Sequence, residues 1–308
     1  MYRLLSGVFM GWAHGSNNAA NVFGTAVFSK TVRYRTAVIL CAIFVIAGAV
    51  LEGQAGMNTI SGLVNQTATS AFVASLAAAL TVTLMSMLKM PVSTSQAIVG
   101  AIIGIGLSLG KSDFSGLTKV VICWVGTPIG AVVVAMILYP LLGRLLESLP
   151  VNIFTRDRMI KAGLIVAGSY GAYALGANNV ANITGVYAQT GLLTDFQAVL
   201  LGGGSIALGA LTYSKNVMMT VGRKLVKLDP FSALITVLSE AIVVHFFAKV
   251  GVPVSTSQAI VGAVLGIGLL KGMKTINNKT LISILFGWVG TPAVALLMSF
   301  IVFRLLVV

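Results

Sequence analysis

The sequence predicts an all-α polytopic membrane protein, built as an inverted structural repeat of about five helical segments per half, with broken helices or hairpins at the midplane. Three observations predict it. Apolar stretches alternate with short polar loops, three motifs occur twice in the same order, and basic residues gather in every second loop. Of 308 residues, 57% are hydrophobic and 9% charged, and the mean hydropathy is +0.99. A soluble domain carries about 25% charged residues to cover its surface, so these stretches read as membrane helices.

The apolar stretches run over 4–28, 36–51, 70–88, 91–110 and 120–143, and then over 162–188, 196–214, 231–248, 252–270 and 281–307. The motifs mark the second set as a copy of the first. PVSTSQAIVGAIIGIGL at 91–107 returns at 253–269 with fifteen of seventeen positions identical. GSNNAANVFG at 15–24 returns as GANNVANITG at 176–185, and WVGTP at 124–128 returns at 288–292. The offsets are 161, 162 and 164 residues, which divides the chain into repeats 1–150 and 151–308 with the joint near 144–161.

An odd number of segments makes the second copy enter the membrane from the opposite side. Charge placement tests this separately. Lys30, Arg33 and Arg35 follow segment one, whereas the loop 52–69 has no Lys or Arg. In the second half 189–195 has none, and Lys215, Arg223, Lys224 and Lys227 follow the next segment. Placing the basic loops in the cytoplasm puts 15 basic residues inside and 5 outside, with both termini outside. The net charge of +13 is explained in this way. No basic stripe carries interleaved aromatics, so nucleic acid is not an expected partner. Segments 70–88 and 91–110 fit two spans or a re-entrant hairpin around Pro91 equally by parity. No cleavable leader is expected, because the first apolar segment runs directly into polar motif residues.

The repeated motifs carry the candidate chemistry. Asn17, Asn18 and Asn21, mirrored by Asn178, Asn179 and Asn182, stand inside apolar segments flanked by glycines. Asparagine competes for backbone hydrogen bonds in a helix, so an unwound stretch is expected there. Its freed carbonyls and amide oxygens would suit a small cation; otherwise the amides join neighbouring helices. In PVSTSQ, Pro91 interrupts the preceding helix, and Ser93, Thr94 and Ser95 are N-cap residues for the next. A helix start presents unpaired N–H groups and partial positive charge. With Gln96, and with Ser255, Thr256, Ser257 and Gln258 as the mirror set, this makes a neutral anion cradle; a capped helix entry without a ligand is the alternative. Gly100, Gly104 and Gly106, with Gly262, Gly266 and Gly268, serve close helix packing, and no Walker lysine accompanies them. Broken helices meeting at the midplane of inverted repeats are a recurrent transporter arrangement.

At these residues the chain resembles the inorganic phosphate transporter family over nearly its whole length. The resemblance implies a homodimeric symporter of the cell inner membrane that imports phosphate with sodium or protons. Carried onto this sequence, phosphate lies among Ser93, Thr94, Ser95, Gln96, Ser255, Thr256, Ser257 and Gln258, and sodium beside Asn17, Asn18, Asn21, Asn178, Asn179 and Asn182. Two departures stand out. Asn18 and Asn179 occupy places where the family pattern has Asp, and Gln96 and Gln258 stand where many members have His. Both remove titratable groups and favour sodium over protons. They also leave the anion to supply the countercharge, so sodium and phosphate should depend on one another. Sulfate or another oxyanion fits the same architecture, and a passive anion channel is a more distant alternative.

Few other polar residues lie at membrane depth. Glu240, with His245 five residues later, is a possible coupling group that binds a cation or carries a proton, or else a neutral hydrogen-bonded acid. Its counterpart is Ala78. Glu52 reads as an interfacial, solvated carboxylate and His14 as a packing or hydrogen-bonding residue. Cys41 and Cys123 show neither ligand spacing nor a disulfide framework. Seven acids and two histidines give enzymatic chemistry little material, and no cofactor is expected.

Overall fold

A computed structural model describes residues 2–87, 92–111, 115–224, 228–272 and 278–307, and at 220–224 and 278–285 the backbone alone. The α-helices are α1 Leu5–Phe28, α2 Tyr34–Glu52, α3 Gln54–Ser61, α4 Ala68–Met87, α5 Thr94–Ser108, α6 Ser115–Ser148, α7 Ile153–Thr184, α8 Asp195–Lys224, α9 Pro230–Val250, α10 Thr256–Leu270 and α11 Asn278–Val307. Among the described residues no strand forms. Six helices (α2, α4, α6, α8, α9 and α11) are long and apolar enough to cross a membrane. Apart from α3, each helix occupies a predicted apolar stretch. α3 escapes the apolar pattern because it is eight residues of mixed polarity without a side-chain cap.

Local chemistry sets several boundaries. The Asn152 side chain accepts from Thr155 N and starts α7. Asp229 accepts from Ser232 N, and Pro230 supplies the first residue of α9. Gly251, at φ 75°, ends α9 in the left-handed region and turns the chain toward α10. α5 and α10 have 15 residues each. At about 1.5 Å per residue they fall short of a roughly 30 Å hydrocarbon core. Pro91 and Lys89 lie outside the described residues.

One expectation is corrected. The asparagine motifs do not unwind their helices: α1 is continuous through Asn17–Asn21, and α7 through Asn178–Asn182. The amides bond sideways to other elements and so leave the backbone ladder intact. The flanking glycines have a packing role. A methyl at Gly15 would overlap the Ile206 carbonyl of α8, and one at Gly176 would overlap the Val45 carbonyl of α2. The second glycine set behaves alike: Gly100 of α5 meets the Pro292 backbone of α11, and Gly262 of α10 meets that of Pro128 in α6.

The packing is crosswise. α1 lies on α8 and α2 on α7; α5 lies on α11 and α10 on α6. α4 and α9 pack against these pairs from equivalent places. Outward on α6, Ile122, Val125, Ile129, Val133, Ile137 and Leu141 form an exposed apolar stripe at helical spacing, suited to lipid.

Polar contacts gather at two ends of the bundle. At one end Tyr187 OH donates to Arg3 O at 3.0 Å, Gln54 meets Asp195 at 2.5 Å and Lys249 meets Glu52 at 2.9 Å. At the other, Lys271 meets Asp229 at 2.6 Å, and the Lys215 ammonium lies 5.9 Å from the Tyr34 ring centre. α1 therefore begins where α7 ends, and α2 ends where α8 begins.

Candidate ligand site between the two halves

Two short helix starts meet the two amide-bearing helices in the interior. Ser93 caps α5 by accepting from Gln96 N at 3.4 Å, and Ser255 caps α10 by accepting from Gln258 N at 3.2 Å. This leaves Thr94, Ser95, Thr256 and Ser257 in the first turns, beside unpaired backbone N–H groups. The Ser95 hydroxyl donates to Val254 O at 2.8 Å, which ties the two helix starts together.

The amides bond across the halves. Asn21 Nδ2 donates to Ser257 Oγ at 3.0 Å and Thr256 Oγ1 at 3.2 Å. Asn182 Nδ2 donates to Ser95 Oγ at 2.8 Å. Within each motif the bond is the same: Asn21 to Asn18 Oδ1 at 3.0 Å, Asn182 to Asn179 Oδ1 at 2.9 Å. Asn18 Nδ2 reaches Thr94 Oγ1 at 3.2 Å, and Ser95 Oγ reaches Asn179 Oδ1 at 3.2 Å. Asn18, Asn21, Asn179, Asn182, Ser93, Thr94, Ser95, Gln96, Ser255, Thr256 and Gln258 are all buried, and Ser257 is nearly so.

Some buried polar atoms in this cluster have no protein partner: Gln96 Oε1, Gln258 Oε1, Asn179 Nδ2 and Asn182 Oδ1. Leaving such a group unpaired costs about 1–3 kcal/mol. Two of the four are the same atom in the two copies, which fits a ligand-facing position. Among the described residues no group of three His, Cys, Asp or Glu could hold a metal. A cation here would take amide, hydroxyl and backbone oxygens.

The first asparagine of each motif is placed differently. Asn17 Nδ2 donates to Ser86 Oγ on α4 at 3.1 Å. Asn178 accepts from Val254 N at 2.8 Å and donates to Val252 O at 3.1 Å and Val244 O at 3.3 Å. It clasps the turn between α9 and α10. His14 is buried on α1 and hydrogen-bonded through Nε2 to Asn18 at 3.0 Å.

The reading of Glu52 as an interfacial, solvated carboxylate lacks its partners: the side chain is 21% exposed but not free. It pairs with Lys249 and, through Oε2 at 2.8 Å, with His245 Nε2. His245 Nδ1 is hydrogen-bonded to Tyr170 OH at 2.8 Å. His245 thus meets the end of α2, and no hydrogen bond joins it directly to Glu240. These residues are 193 and 75 positions apart in sequence, and no local pattern announces them. Glu240 is fully buried, and neither carboxyl oxygen has a protein partner.

The chain is similar to several known proteins in sequence and fold. "Putative phosphate permease MJ0630" of Methanocaldococcus jannaschii is 34% identical over 292 residues, covering 95% of this chain and 93% of that protein. "Sulfate permease CysP" of Bacillus subtilis is 30% identical, covering 98% and 86%. A solved structure described as "The sodium-dependent phosphate transporter" shares the fold at a TM-score of 0.90 and 23% identity, with 99% of each chain covered. The phosphate transporter family model matches residues 14–299, so this multi-pass membrane chain, a transporter rather than an enzyme, belongs to the phosphate transporter family.

Proposed function

We propose that the protein is a secondary active symporter that imports inorganic phosphate with sodium, by alternating access of two inverted halves to one shared site. The carrying observation is the crosswise pair of bonds, Asn21 to Ser257 and Asn182 to Ser95. Each half supplies the amides that meet the other half's helix start, so neither half completes the site alone. Opposite chain directions of α1 and α7, and of α2 and α8, support the inverted arrangement of 1–150 and 151–308.

In this reading Ser93, Thr94, Ser95, Gln96 and Ser255, Thr256, Ser257, Gln258 hold the oxyanion with hydroxyl, amide and backbone donors. The helix starts add about half a positive charge each. Asn17, Asn18, Asn21, Asn178, Asn179 and Asn182 supply oxygens to sodium. The phosphate in the name of the Methanocaldococcus relative supports the anion, and the description of the solved structure as sodium-dependent supports the cation. The basic-loop asymmetry places both termini outside the cell inner membrane, and the family resemblance implies a homodimer there.

Labelled phosphate uptake into proteoliposomes tests the reading. Uptake should require an inward sodium gradient, and excess sulfate should compete weakly. Uptake indifferent to sodium would overturn the coupling. Sulfate is the second reading, favoured by the Bacillus relative; labelled sulfate entering faster than phosphate would establish it. Single-channel currents would overturn the carrier mechanism altogether.

A further inference from the structure

Glu240 sits in the middle of α9, fully buried, with both carboxyl oxygens unpaired. Its side chain ends against α7 at Gly171. A methyl group built there would lie 3.3 Å from Glu240 Oε2, 3.1 Å from Val22 Cγ1 and 3.8 Å from Ala241 Cβ. Val22 follows Asn21, and Gly171 lies two turns before Asn178, so the carboxyl is beside both amide-bearing helices. An unpaired carboxylate at such a depth is costly, whereas the neutral acid is tolerated. The mirror position, Ala78, is also buried, so the acid is not needed for the fold of the repeat.

A second observation leads outward from it. Tyr170 adjoins Gly171, the residue against which the Glu240 carboxyl ends. From Tyr170 OH a continuous series runs through His245 to Glu52, with 2.8 Å at each step. Glu52 is 21% exposed at the end of α2, bridged to Lys249. The series therefore joins a water-accessible carboxylate to the neighbourhood of a buried one.

We propose that Glu240 is a proton-binding site of the transport cycle, loaded from the Glu52 end of the bundle through His245 and Tyr170. A metal cation takes several oxygen ligands, but Val22 and Ala241 present methyl groups at Gly171. A proton requires only the carboxylate. In the relay His245 takes a proton at Nε2 from the Glu52 side and releases one from Nδ1 to the Tyr170 oxygen. Tyr170 passes its own hydroxyl proton to Glu240 once a side-chain rotation closes the gap, because the carboxyl makes no hydrogen bond in the structure described. Each donor is restored by the one before it, so one proton moves in net terms.

Among the described contacts of the other elements packed on α9, none brings a second carboxylate to Glu240. α3 and α10 carry no ionisable side chain. α6 meets α9 through Gly126 at Phe247 and Gly130 at Val243, with Lys119 on the Val250 carbonyl. Tyr173 of α7 packs its ring edge-on to His245. On α1, His14 is engaged by Asn18.

The inference rests on the transport reading above, and one experiment separates the two. Proteoliposomes hold equal sodium on both sides, and an inward gradient of one pH unit is imposed. One pH unit is worth about 1.4 kcal/mol per proton, up to about a tenfold rise in accumulation at steady state. Wild-type protein should show that rise in labelled phosphate, and E240Q should lose it. The pH step redistributes phosphate's own protonation states identically for both proteins, so E240Q is the reference. The ratio with and without the gradient does not depend on how much protein inserts. H245A should slow the approach to steady state. An equal rise in wild type and E240Q overturns the proposal. Should E240Q not fold, infrared difference spectra of the wild type and E240D replace it. A carboxylic-acid stretch that titrates in the wild type and shifts in E240D supports the proposal, and no such band overturns it. Absence of any wild-type uptake even with a sodium gradient would sink the transport reading; sodium-driven uptake without a proton response sinks only this inference.

Discussion

The two halves agree in their neutral chemistry and differ in their ionisable chemistry. Asn21 to Ser257 at 3.0 Å and Asn182 to Ser95 at 2.8 Å are near copies, as are the glycine contacts of Gly100 and Gly262 with a proline backbone. Glu240 opposite Ala78, His14 on α1, and the His245 to Glu52 pair occur once each. The mirrored residues build the chamber that both access states must share. The unpaired residues can distinguish one state, or one ion, from another.

The largest expected effects fall on the mirrored helix crossings. Gly15→Val and Gly176→Val each press a side chain onto a backbone carbonyl that cannot step aside. Both should destabilise the protein by about 3 kcal/mol or more, read by thermal melting in detergent. A melt in which one is tolerated would break the equivalence of the halves.

Next comes the pair that is not equivalent. Asn178→Ala removes three buried bonds at the α9–α10 turn, whereas Asn17→Ala removes one from a partly exposed site. Losses of about 3 and about 1 kcal/mol are expected in the same melts. Ser95→Ala should weaken phosphate binding more than Ser257→Ala. Ser95 bonds to Asn179, Asn182 and Val254, whereas Ser257 accepts from Asn21. About 2 against about 1 kcal/mol corresponds to roughly thirtyfold against fivefold in affinity. Equal losses would mean that the less buried member, Ser257, carries more of the ligand than its bonding suggests.

The smallest effect belongs to the clasp at the opposite end of the α9–α10 hairpin, where Lys271 bonds Asp229 and the Ser232 hydroxyl. Burial alone would raise the Asp229 carboxyl, but Lys271, the Ser232 hydroxyl and the Ser232 amide outweigh it and hold it below the usual range. Its contribution is present above the ordinary carboxylate range and fades as pH falls through the lowered value. Burial likewise would lower Lys271, yet Asp229 and Tyr139 hold its ammonium above the usual value. That contribution is complete below the ordinary ammonium value and disappears as pH rises through the raised one. Asp229 is 49% exposed, so solvent screening limits Asp229→Ala to about 1 kcal/mol or less. A melting temperature measured against pH should show the wild-type advantage in the neutral range and lose it at both extremes.

Much of this was legible in the sequence because duplication repeats its own evidence. The apolar stretches mark ten helices, although α7 begins at Ile153 rather than 162 and α8 runs to Lys224 rather than 214, and the twin PVSTSQ motifs locate the capped helix starts at Ser93 and Ser255. The asparagine stretches misled on one point. Propensity disfavours amides within a helix, but Asn21 and Asn182 spend theirs on hydroxyls of the opposite half, a tertiary effect that propensity does not contain. The bonds of Glu52 with His245 and of Asp229 with Lys271 join residues distant in sequence and single in the chain, so no period or motif marks them. α3 is too short and mixed in polarity to show a face.

The central claim is that the shared site contains no fixed charge, so that anion and cation each complete the other's binding. Asn18 and Asn179, which bond as amides to Asn21 and Asn182, carry this claim. Calorimetric titration of the purified protein with phosphate, with sodium present and with sodium replaced by an inert cation, measures it directly. The account predicts binding that weakens severely when sodium is withdrawn, and sodium binding that weakens equally without phosphate. The same phosphate affinity under both conditions would contradict it.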